Sequence, residues 1–399
     1  MKQKTIIHIF GRSVFLRYYL EYLKNNFADY QHVFLIYGRD AHSGLVNYPE
    51  YEGLFTFIDI GMTPTSRWLN PFCVFSKRLR KLLRSADMVI AHALHAQTID
   101  LLTLHKYLLS KTFWMVWGEE FNTYYKANPE NGILYELLRR IYSTERYYRM
   151  RFVAREIQYV NVQNTEYIKL KKYYNPHAKR VELLSNYPRD HEFAHWDKDD
   201  ITRILVGHSG WRKYGHIEAL DILEKYQNEN IMLYLPMSYG DKEYIDMVDE
   251  YAHLKYGDKV CIMRDFLDPD KYQEFLQTID VGIFNEPVQT GLGNIFALLG
   301  YGKKVYLNDF GQNIIIVPEK GLIAHKISSI QKESFTEFKY QSNDVSEHNI
   351  NITEERRNPE KIFEEWKIIF DMFSNPNIDD ELLSHGMLIT DCSAEISNQ

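Results

Sequence analysis

The segment ILVGHSGWRKYGHIEAL, from Ile204 to Leu220, decides the fold, and DVGIFNEPVQTGLGNIFALLGYGKKVYL, from Asp280 to Leu307, repeats its plan. In the first segment an apolar strand ends in the small-residue loop Gly207–Gly210, and an amphipathic helix follows. In the second, a buried strand leads through the loop Gln289–Asn294 to a helix and a further strand. Such loops expose backbone N–H groups near a helix N-terminus, where the helix dipole favours an anion, usually phosphate. Two of them in one domain predict a ligand that carries a diphosphate.

Strand and helix patterns alternate along both halves of the 399-residue chain. Short apolar runs such as Thr5–Phe10 and Met88–Ala91 predict buried strands, and longer amphipathic stretches such as Lys242–Tyr256 predict the helices between them. This alternation predicts two Rossmann-like, doubly wound α/β domains. We expect the first domain at 1–186, a linker at 187–200 and the second domain at 201–357. A helix at 358–375 would cross back to the first domain, and 376–399 would be a weakly packed tail.

The charge of the chain is distributed unevenly between its halves. Residues 1–200 hold 28 basic and 21 acidic residues, whereas the rest hold 19 and 33, within a net charge of −7. Two segments, Arg67–Arg84 and Arg139–Arg155, each combine six basic residues with bulky apolar ones. This combination suits an anionic bilayer surface, and the alternative is a pair of surface helices with solvated charges and buried aromatic rings. Nucleic acid is not expected as a partner, because no nucleic-acid motif is present and the second half is acidic.

The sequence also limits the compartment of the protein. No run approaches the ~20 apolar residues that a membrane span needs, and no signal segment is visible. The three cysteines, Cys73, Cys261 and Cys392, are far apart and in no ligand spacing, which is typical of reduced thiols in a cytoplasmic protein. We therefore expect a cytoplasmic protein that binds peripherally to a membrane.

Two Asp-x-Asp segments, Asp268–Asp270 and Asp197–Asp199, match the metal motif of some sugar-nucleotide enzymes. For Asp268 a structural interpretation is stronger, because an N-cap followed by proline and an acidic first turn begins a helix. We therefore expect no metal site.

Two α/β domains with phosphate-type loops in the second are the plan of a GT-B glycosyltransferase, and a family resemblance makes this more specific. The segments VGHSGWRKYGHIEAL, YLPMSYGDKEYI, VQTGLGNIFALLGYGKKVYLN and FWMVWGEEF, with IAHALHA, resemble glycosyltransferase family 56 over roughly residues 85–310. That family contains the TDP-N-acetylfucosamine:lipid II N-acetylfucosaminyltransferases, also called 4-alpha-L-fucosyltransferases. His208, Trp211 and the pair Glu119–Glu120 depart from the family pattern, which leaves the exact sugar and lipid open.

The resemblance implies two domains that face each other across a cleft, with the acceptor on the first and the nucleotide-sugar on the second. The implied donor is a TDP-activated acetamido-dideoxy sugar, and the implied acceptor is a polyprenyl-diphosphate-linked oligosaccharide at the inner face of the cytoplasmic membrane. The expected reaction inverts configuration and requires no metal or other cofactor.

The candidate donor-binding residues lie on loops that follow strands of the second domain. Backbone amides of the two small-residue loops would hold the diphosphate, and the Arg212 guanidinium would replace a metal cation. In the alternative interpretation, Arg212 is only a solvated side chain of the first helical turn, and Ser209 and Asn294 are only helix N-caps. The full set is Gly207, His208, Ser209, Gly210, Arg212, Tyr239, Gln289, Thr290, Gly291, Gly293 and Asn294.

An inverting transfer needs a general base, and the first domain offers Glu120, His92 and His95. Glu120 follows an apolar strand in an aromatic setting that would raise the pKa of its carboxyl group, and it matches an acidic position of the family. His92 and His95 follow another strand and could act as base or as orienting partner.

Three other functions remain open at this point. The chain could be a GT-B glycosyltransferase of capsule or O-antigen synthesis that uses another nucleotide-sugar. It could be a sugar-nucleotide epimerase of the same architecture, although a soluble substrate would not require the basic, aromatic first half. It could also be a non-catalytic nucleotide-sugar-binding protein.

Overall fold

A computed structural model describes residues 3–38, 48–62, 68–122, 133–186, 188 and 200–390. The chain divides into two compact units: unit 1 comprises Met1–Arg189 with Pro359–Gln399, and unit 2 comprises Asp190–Asn358. The expected boundaries at 186 and 357 lie close to this division. Of the expected linker, only Pro188 and Asp200 are among the described residues. In the described ranges, no helix combines the length and the apolarity that crossing a bilayer requires.

Unit 1 begins with seven strands in an α/β alternation. The strands are β1 (Thr5–Gly11), β2 (Gln31–Tyr37), β3 (Thr56–Asp59), β4 (Met88–His92), β5 (Thr112–Met115), β6 (Tyr159–Asn161) and β7 (Lys179–Val181). The helices are α1 (Val14–Asn26), α2 (Pro71–Val74), α3 (Lys77–Ser85), α4 (Ala96–Leu104), α5 (Ile133–Glu156) and α6 (Asn164–Tyr173).

These strands form a parallel sheet in the order β3-β2-β1-β4-β5-β6-β7. Successive side chains of a strand point to opposite faces, so β1 contributes to two cores. Ile7 and Ile9 pack in one apolar layer, whereas Ile6 and Phe10 pack in the other. The side chain of His8 therefore points into the second layer, which is rich in aromatic rings.

Unit 2 repeats the alternation with six strands. The strands are β8 (Thr202–Val206), β9 (Ile231–Pro236), β10 (Val260–Met263), β11 (Val281–Phe284), β12 (Lys304–Leu307) and β13 (His325–Lys326). The helices are α7 (His216–Leu223), α8 (Lys242–Tyr256), α9 (Pro269–Thr278), α10 (Leu292–Gly300), α11 (Asn313–Glu319), α12 (Phe335–Lys339) and α13 (Asn343–Arg356).

The sheet of unit 2 is parallel throughout, in the order β10-β9-β8-β11-β12-β13. The chain winds from β8 outward to β10 and then returns to place β11 on the other side of β8. Ile204 and Val206 pack on one face of the sheet, and Leu205 packs on the other. This is the doubly wound, Rossmann-like order, so the predicted fold class is confirmed.

The C-terminal segment returns to unit 1 through α14 (Pro359–Asp371), α15 (Ile378–Ser384) and β14 (Leu388–Ile389). Trp366 of α14 is fully buried and donates its indole N–H to the Ser185 carbonyl at 3.1 Å. Leu382 of α15 is also buried, and β14 pairs antiparallel with β7. The expectation of a weakly packed tail is therefore wrong for 376–390, whereas 391–399 lie outside the described residues.

Two further helix starts bear on the sequence-based interpretation. The basic segment that begins at Arg67 contains two helices, α2 and α3, because Ser76 caps a new helix by accepting the Leu79 N–H at 3.1 Å. The N-cap expected at Asp268 is confirmed: its carboxylate accepts the Asp270 N–H at 3.0 Å, and Pro269 begins α9. The other Asp-x-Asp segment lies outside the described residues.

Candidate active site

Strands β8 and β11 lie side by side in unit 2, although β9 and β10 separate them in sequence. The chain leaves β8 toward one edge of the sheet and leaves β11 toward the other. In doubly wound sheets, ligands bind in the crevice outside the carboxyl ends of the strands at such a reversal point. The loops that begin at these two strand ends, 207–211 and 285–291, contain most of the two small-residue segments identified in the sequence.

The loop after β8 begins at Gly207, which has a φ of +69°. A Cβ at this position would lie 2.6 Å from His216 Nε2, so only glycine fits both the conformation and the space. Further along, the Gly210 N–H donates to the Tyr239 carbonyl at 2.8 Å and ties this loop to the one after β9. Ser209 is buried, whereas Tyr239 is exposed. The N-cap of the 3-10 turn is Trp211 and that of α7 is Gly215, so Ser209 is not a helix N-cap.

His208 connects the loops after β8 and β11. Its Nδ1 lies 3.0 Å from Glu286 Oε1, and its Nε2 lies 2.9 Å from Thr290 Oγ1. The Tyr214 hydroxyl is 3.3 Å from Thr290 Oγ1, and the Tyr214 and His208 rings are 4.8 Å apart. The Glu286 side chain is fully buried, whereas a tenth of the His208 side chain is exposed. The arrangement is a continuous chain of carboxylate, imidazole and two hydroxyl groups.

Arg212 lies in a short 3-10 turn, Arg212–Tyr214, between the first loop and α7. Its guanidinium carbon is 5.0 Å from the centre of the Tyr244 ring, and its side chain is exposed. Among the described residues, no carboxylate forms an ion pair with it. Lys213 is also exposed, with its ammonium 5.3 Å from the Tyr214 ring. Two cations are therefore available near the reversal point for an anionic ligand.

The second loop ends at the N-terminus of α10. Gly291 is the N-cap residue, has a φ of +66° and makes no side-chain cap. A Cβ there would lie 2.9 Å from His208 Nδ1, whereas a Cβ at Gly293 would meet nothing within 4 Å. Asn294 is inside the helix rather than at its cap, and its Nδ2 donates to the Tyr272 hydroxyl at 2.9 Å. The uncapped first turn of α10 thus faces open space at Gly293, as an anion site requires.

Side chains from the loop after β12 support the second loop. The Gln312 carboxamide oxygen accepts the Gln289 N–H at 2.6 Å, and Asn313 Nδ2 donates to the Thr290 carbonyl at 2.9 Å. Several buried polar atoms of this region have no hydrogen-bond partner among the described residues, including Glu286 Oε2, His216 Nε2 and Asn313 Oδ1. Buried polar atoms are normally paired, so they are available to a ligand or to water.

In unit 1, the Glu120 carboxylate is buried and surrounded by donors. Oε1 accepts the Trp117 N–H at 3.1 Å and lies 3.4 Å from both the Leu94 N–H and the Trp114 indole nitrogen. Burial raises the pKa of Glu120. These contacts join the loops after β4 and β5, which favours a positioning role. The hypothesis that Glu120 is the general base stays a prediction, and the side chain of Glu119 lies outside the described set.

The two histidines after β4 have different environments. His92 is fully buried, stacks on Phe10 with the ring centres 4.0 Å apart, and burial lowers the pKa of its imidazole well below the usual value. His95 is only partly buried at the N-terminus of α4, with Nδ1 3.1 Å from the Tyr37 hydroxyl. Of the three candidate bases, His95 is therefore the most accessible to a substrate.

A family model provides the observation that decides the family. The model described as 4-alpha-L-fucosyltransferase, glycosyl transferase group 56, matches residues 79–351, which is more than half of the chain. The chain belongs to glycosyltransferase family 56. It is therefore a glycosyltransferase, and the matched range includes both small-residue loops of unit 2.

Solved structures of low sequence identity share the fold of this family 56 glycosyltransferase. A glycosyltransferase from Rickettsia africae has a TM-score of 0.60 at 13% identity, with 94% of this chain and 100% of that chain covered. HepE of Anabaena, in complex with UDP and glucose, has a TM-score of 0.57 at 10% identity, with 92% and 98% covered. WaaG, a glycosyltransferase involved in lipopolysaccharide biosynthesis, has a TM-score of 0.56 at 10% identity, with 93% and 100% covered. These similarities place the glycosyltransferase in the GT-B fold.

Glu286 is the residue of the glycosyltransferase that the sequence did not identify. It lies within the quoted second segment, but a single glutamate in a polar loop has no spacing that distinguishes it from a solvated side chain. Three tyrosine hydroxyls also lie nearby, of which Tyr239 was among the predicted donor-binding residues, and burial raises the pKa of Tyr214, Tyr239 and Tyr244. These tyrosines therefore remain neutral hydrogen-bond donors at neutral pH.

Proposed function

We propose that the enzyme transfers an N-acetylfucosamine-like acetamido-dideoxy-hexose from a TDP-sugar to a polyprenyl-diphosphate-linked oligosaccharide in surface polysaccharide synthesis. Membership of family 56 supports the reaction class and the type of sugar. The observation that carries the donor assignment is the convergence of two small-residue loops on the β8–β11 reversal point, joined by the contact between His208 and Thr290.

The chemistry of the leaving group explains why these residues suit the donor. When the bond between the sugar and the diphosphate breaks, negative charge develops on the diphosphate, and preorganised donors and cations stabilise it. The uncapped N–H groups at Gly291–Gly293 can supply donors, and Arg212 can bind phosphate oxygens through its planar guanidinium. We therefore propose a metal-independent transfer.

For inversion, the acceptor hydroxyl must lose its proton to a base that the acceptor can reach. We propose His95 as this base, because His92 and Glu120 are buried while His95 is partly exposed. Its contact with the Tyr37 hydroxyl would fix the ring through Nδ1 and direct Nε2 toward the substrate. Glu120 then acts on His95 through the backbone, because it binds the N–H of the adjacent Leu94.

A lipid-linked acceptor requires access to a membrane, and unit 1 has exposed apolar residues beside basic ones. Trp68, Phe72 and Phe75 are exposed, Phe72 to 91%. The exposed cations that follow are Lys77, Arg78, Arg80, Lys81 and Arg84. The alternative in which the aromatic rings of this segment are buried is therefore wrong for these three residues.

Helix α5 has a second exposed apolar face. Leu137, Ile141, Tyr148 and Phe152 are all exposed, and their spacing of four, seven and four residues places them on one side of the helix. Arg140, Arg151 and Arg155 are exposed on the same helix. Apolar residues flanked by arginines suit the headgroup region of an anionic bilayer. We propose that the enzyme binds peripherally to the inner face of the cytoplasmic membrane through these two segments.

The donor assignment is tested by thermal shift with a panel of nucleoside diphosphates and nucleotide-sugars, because a specific ligand stabilises the folded state by mass action. We expect TDP and TDP-sugars to give the largest shift, and sugar transfer to a polyprenyl-diphosphate acceptor to survive EDTA. A larger shift with another nucleotide would favour a capsule or O-antigen enzyme. Donor binding without transfer or donor hydrolysis would favour a non-catalytic binding protein. Loss of activity in EDTA that manganese or magnesium restores would contradict metal independence.

Membrane attachment is tested by sedimentation with anionic vesicles. The variant with Arg78, Arg80, Lys81 and Arg84 changed to Glu should be released, and salt should weaken wild-type binding because charges are screened over about 10 Å at 0.1 M. The matched control reverses four exposed lysines of unit 2 and should stay bound. Those lysines are Lys242, Lys326, Lys332 and Lys339. A wild-type protein that does not sediment at low salt would contradict the membrane proposal.

A further inference from the structure

The chain of contacts through His208 includes a buried carboxylate that neither the family motifs nor the donor assignment explains. Glu286 follows β11 and is buried, with Oε1 3.0 Å from His208 Nδ1. An ionised carboxylate can only accept a hydrogen bond, so Nδ1 must carry its proton. The neutral imidazole then accepts the Thr290 hydroxyl at Nε2, which agrees with the 2.9 Å separation. Glu286 therefore fixes both the ring orientation and the tautomer of His208.

This arrangement favours protonation of the neutral His208 imidazole when an anionic ligand binds. An imidazolium beside a buried carboxylate forms a charge-assisted hydrogen bond, and its Nε2–H becomes a donor. Thr290 can then turn its hydroxyl to Tyr214 or to the ligand, since either oxygen of that 3.3 Å contact can be the donor. The exposed tenth of the His208 side chain lies at the reversal point, where the diphosphate of the donor would bind.

We infer that His208 takes up a proton from solvent when the donor binds, and that Glu286 positions His208 so that its Nε2–H donates to Thr290 Oγ1, whose hydroxyl then donates to an oxygen of the diphosphate. The inference rests on the proposed donor site. In the transfer step the acceptor oxygen bonds to the anomeric carbon and gives its proton to the base. The bond between the anomeric carbon and the diphosphate oxygen breaks, and the electron pair stays with the diphosphate. The imidazolium offsets that charge, as a metal ion does in other enzymes.

The other titratable groups that face His208 do not compete for this proton. Among the described residues these groups are Glu286, Tyr214 and His216, on three different elements. Burial and the neighbouring His208 lower the pKa of His216 to about 4, so it is neutral at physiological pH. Burial raises the pKa of Tyr214, so its hydroxyl also stays neutral. Glu286 Oε2 has no hydrogen-bond partner among the described residues, so the His208 N–H is the side-chain donor that holds this carboxylate.

The test is calorimetric titration of the full-length enzyme with TDP in buffers of different ionisation enthalpy, at about pH 8, where a free histidine is neutral. The slope of binding enthalpy against buffer enthalpy counts the protons taken up. We expect uptake that approaches one proton in the wild type and none in His208→Gln. The TDP affinity of His208→Gln should fall about ten- to a hundredfold, the scale of a lost hydrogen bond to a charged group. Glu286→Gln should lower both the uptake and the affinity.

The control is Glu333→Gln, which removes another hydrogen-bonded carboxylate of unit 2, one that pairs with Lys304 and Tyr306. It should retain wild-type proton uptake even if its melting temperature falls. TDP binding without proton uptake, or uptake that persists in His208→Gln, would overturn this inference and leave the donor site intact. If no nucleoside diphosphate binds at all, the proposed function itself fails. If Glu286→Gln does not fold, His208→Gln remains the decisive variant, because the His208 side chain is partly exposed and its replacement should be tolerated.

Discussion

The two units of the enzyme reach the same topological reversal point with different residues. In unit 1, β1 and β4 are adjacent while β2 and β3 lie beyond β1, and in unit 2, β8 and β11 are adjacent in the same way. The fold alone therefore gives both units a crevice at the carboxyl ends of their sheets. The loops determine what each crevice can bind.

In unit 1 three polar side chains of the crevice, those of Arg12, Glu120 and His92, are held by contacts within the protein. The Arg12 guanidinium after β1 binds Asp59 at 2.9 Å and the Gly38 carbonyl at 2.7 Å, and only 2% of its side chain is exposed. Glu120 is enclosed by N–H donors, and His92 stacks on Phe10 and meets the Tyr19 ring edge to face. These contacts fix the conformation of the loops in unit 1, and His95 remains partly exposed beside them.

In unit 2 the corresponding loops keep cations, uncapped N–H groups and buried polar atoms available. Arg212 lies over an aromatic ring rather than against a carboxylate, and the first turn of α10 has no side-chain cap. The comparison teaches that the strand order determines where a ligand can bind in each unit. Whether that ligand is an anion depends on the loops, which in unit 2 contain small residues and the exposed cation Arg212. The predictions below test this contrast, beginning with the largest expected effect.

The base should lie in unit 1 and should not affect the donor. His95→Gln should lower turnover by about 10²–10⁴-fold, the usual contribution of a general base, with TDP affinity unchanged. The measurement is steady-state transfer together with TDP titration, and His177→Gln, at an exposed histidine of the same unit, is the control. Normal turnover in His95→Gln, with a loss in Glu120→Gln that no change in melting temperature accompanies, would assign the base to Glu120.

Acid should destabilise unit 1 more than unit 2. Burial lowers the pKa of His32 to about 4, and it lowers those of His8 and His92 well below 6.5, whereas unit 2 has His216 at about 4 as its clearest counterpart. Above pH 6.5 both folded and unfolded histidines are neutral and contribute nothing. As the pH falls from 6.5 toward 4, only the unfolded chain takes up protons, so stability is lost, on the order of 3 kcal/mol for a histidine such as His32 whose folded-state pKa is about 4.

The measurement is hydrogen exchange of each unit as a function of pH. Peptides of β1 and β4 should lose protection at a higher pH than those of β8 and β11. His32→Leu should reduce the acid sensitivity of unit 1 by about one proton. Equal acid sensitivity in the two units would remove the buried histidines from the explanation.

Within unit 2, the guanidinium of Arg212 should matter for binding of the donor. Arg212→Ala should weaken TDP binding by about 1–3 kcal/mol, the scale of a lost charge-assisted bond. Lys213→Ala is the matched control, since Lys213 shares the same 3-10 turn, and its effect should be smaller because an ammonium cannot bind phosphate in a bidentate manner. Unchanged TDP affinity in Arg212→Ala would exclude Arg212 from the site.

The smallest effects concern two glycines of the second loop. Gly291→Ala should destabilise the protein by about 1 kcal/mol, because φ is +66° and the added Cβ would approach His208. Gly293→Ala should leave stability equal or raise it by about 0.4–1 kcal/mol, because the position is helical and open. TDP binding should nevertheless weaken in Gly293→Ala, since the methyl group would occupy the space of the anion. Full affinity in that variant would place the phosphate elsewhere.

The sequence predicted the strands and the reversal-point loops well, because apolar runs that end in small residues are local signals. Helix α13 was missed for a physical reason: its buried contacts are polar and show no apolar period. Asn349 is fully buried and binds both the N–H and the carbonyl of Ile323, at 2.8 and 2.9 Å, and Thr353 packs against Gly300 of α10. A buried asparagine of this kind looks like a surface residue in the sequence.

Part of the site could be predicted in the same way, and part could not. Gly207, His208, Thr290 and Gly291 were identified because they belong to the loop motifs, and the structure brings them together. Glu286 was missed because its importance depends on a contact with a residue 78 positions away. Long-range pairing of single polar residues leaves no periodic signal in one sequence.

The central claim is that the nucleotide binds at the reversal point of unit 2 and not at that of unit 1. Differential hydrogen–deuterium exchange with and without TDP tests it most directly, because backbone N–H groups that bind phosphate lose access to solvent. We expect protection in peptides that cover 207–212 and 289–294, and none in peptides that cover 11–13 and 93–95. Protection confined to the loops of unit 1 would contradict the claim, and so would protection of both units to the same extent.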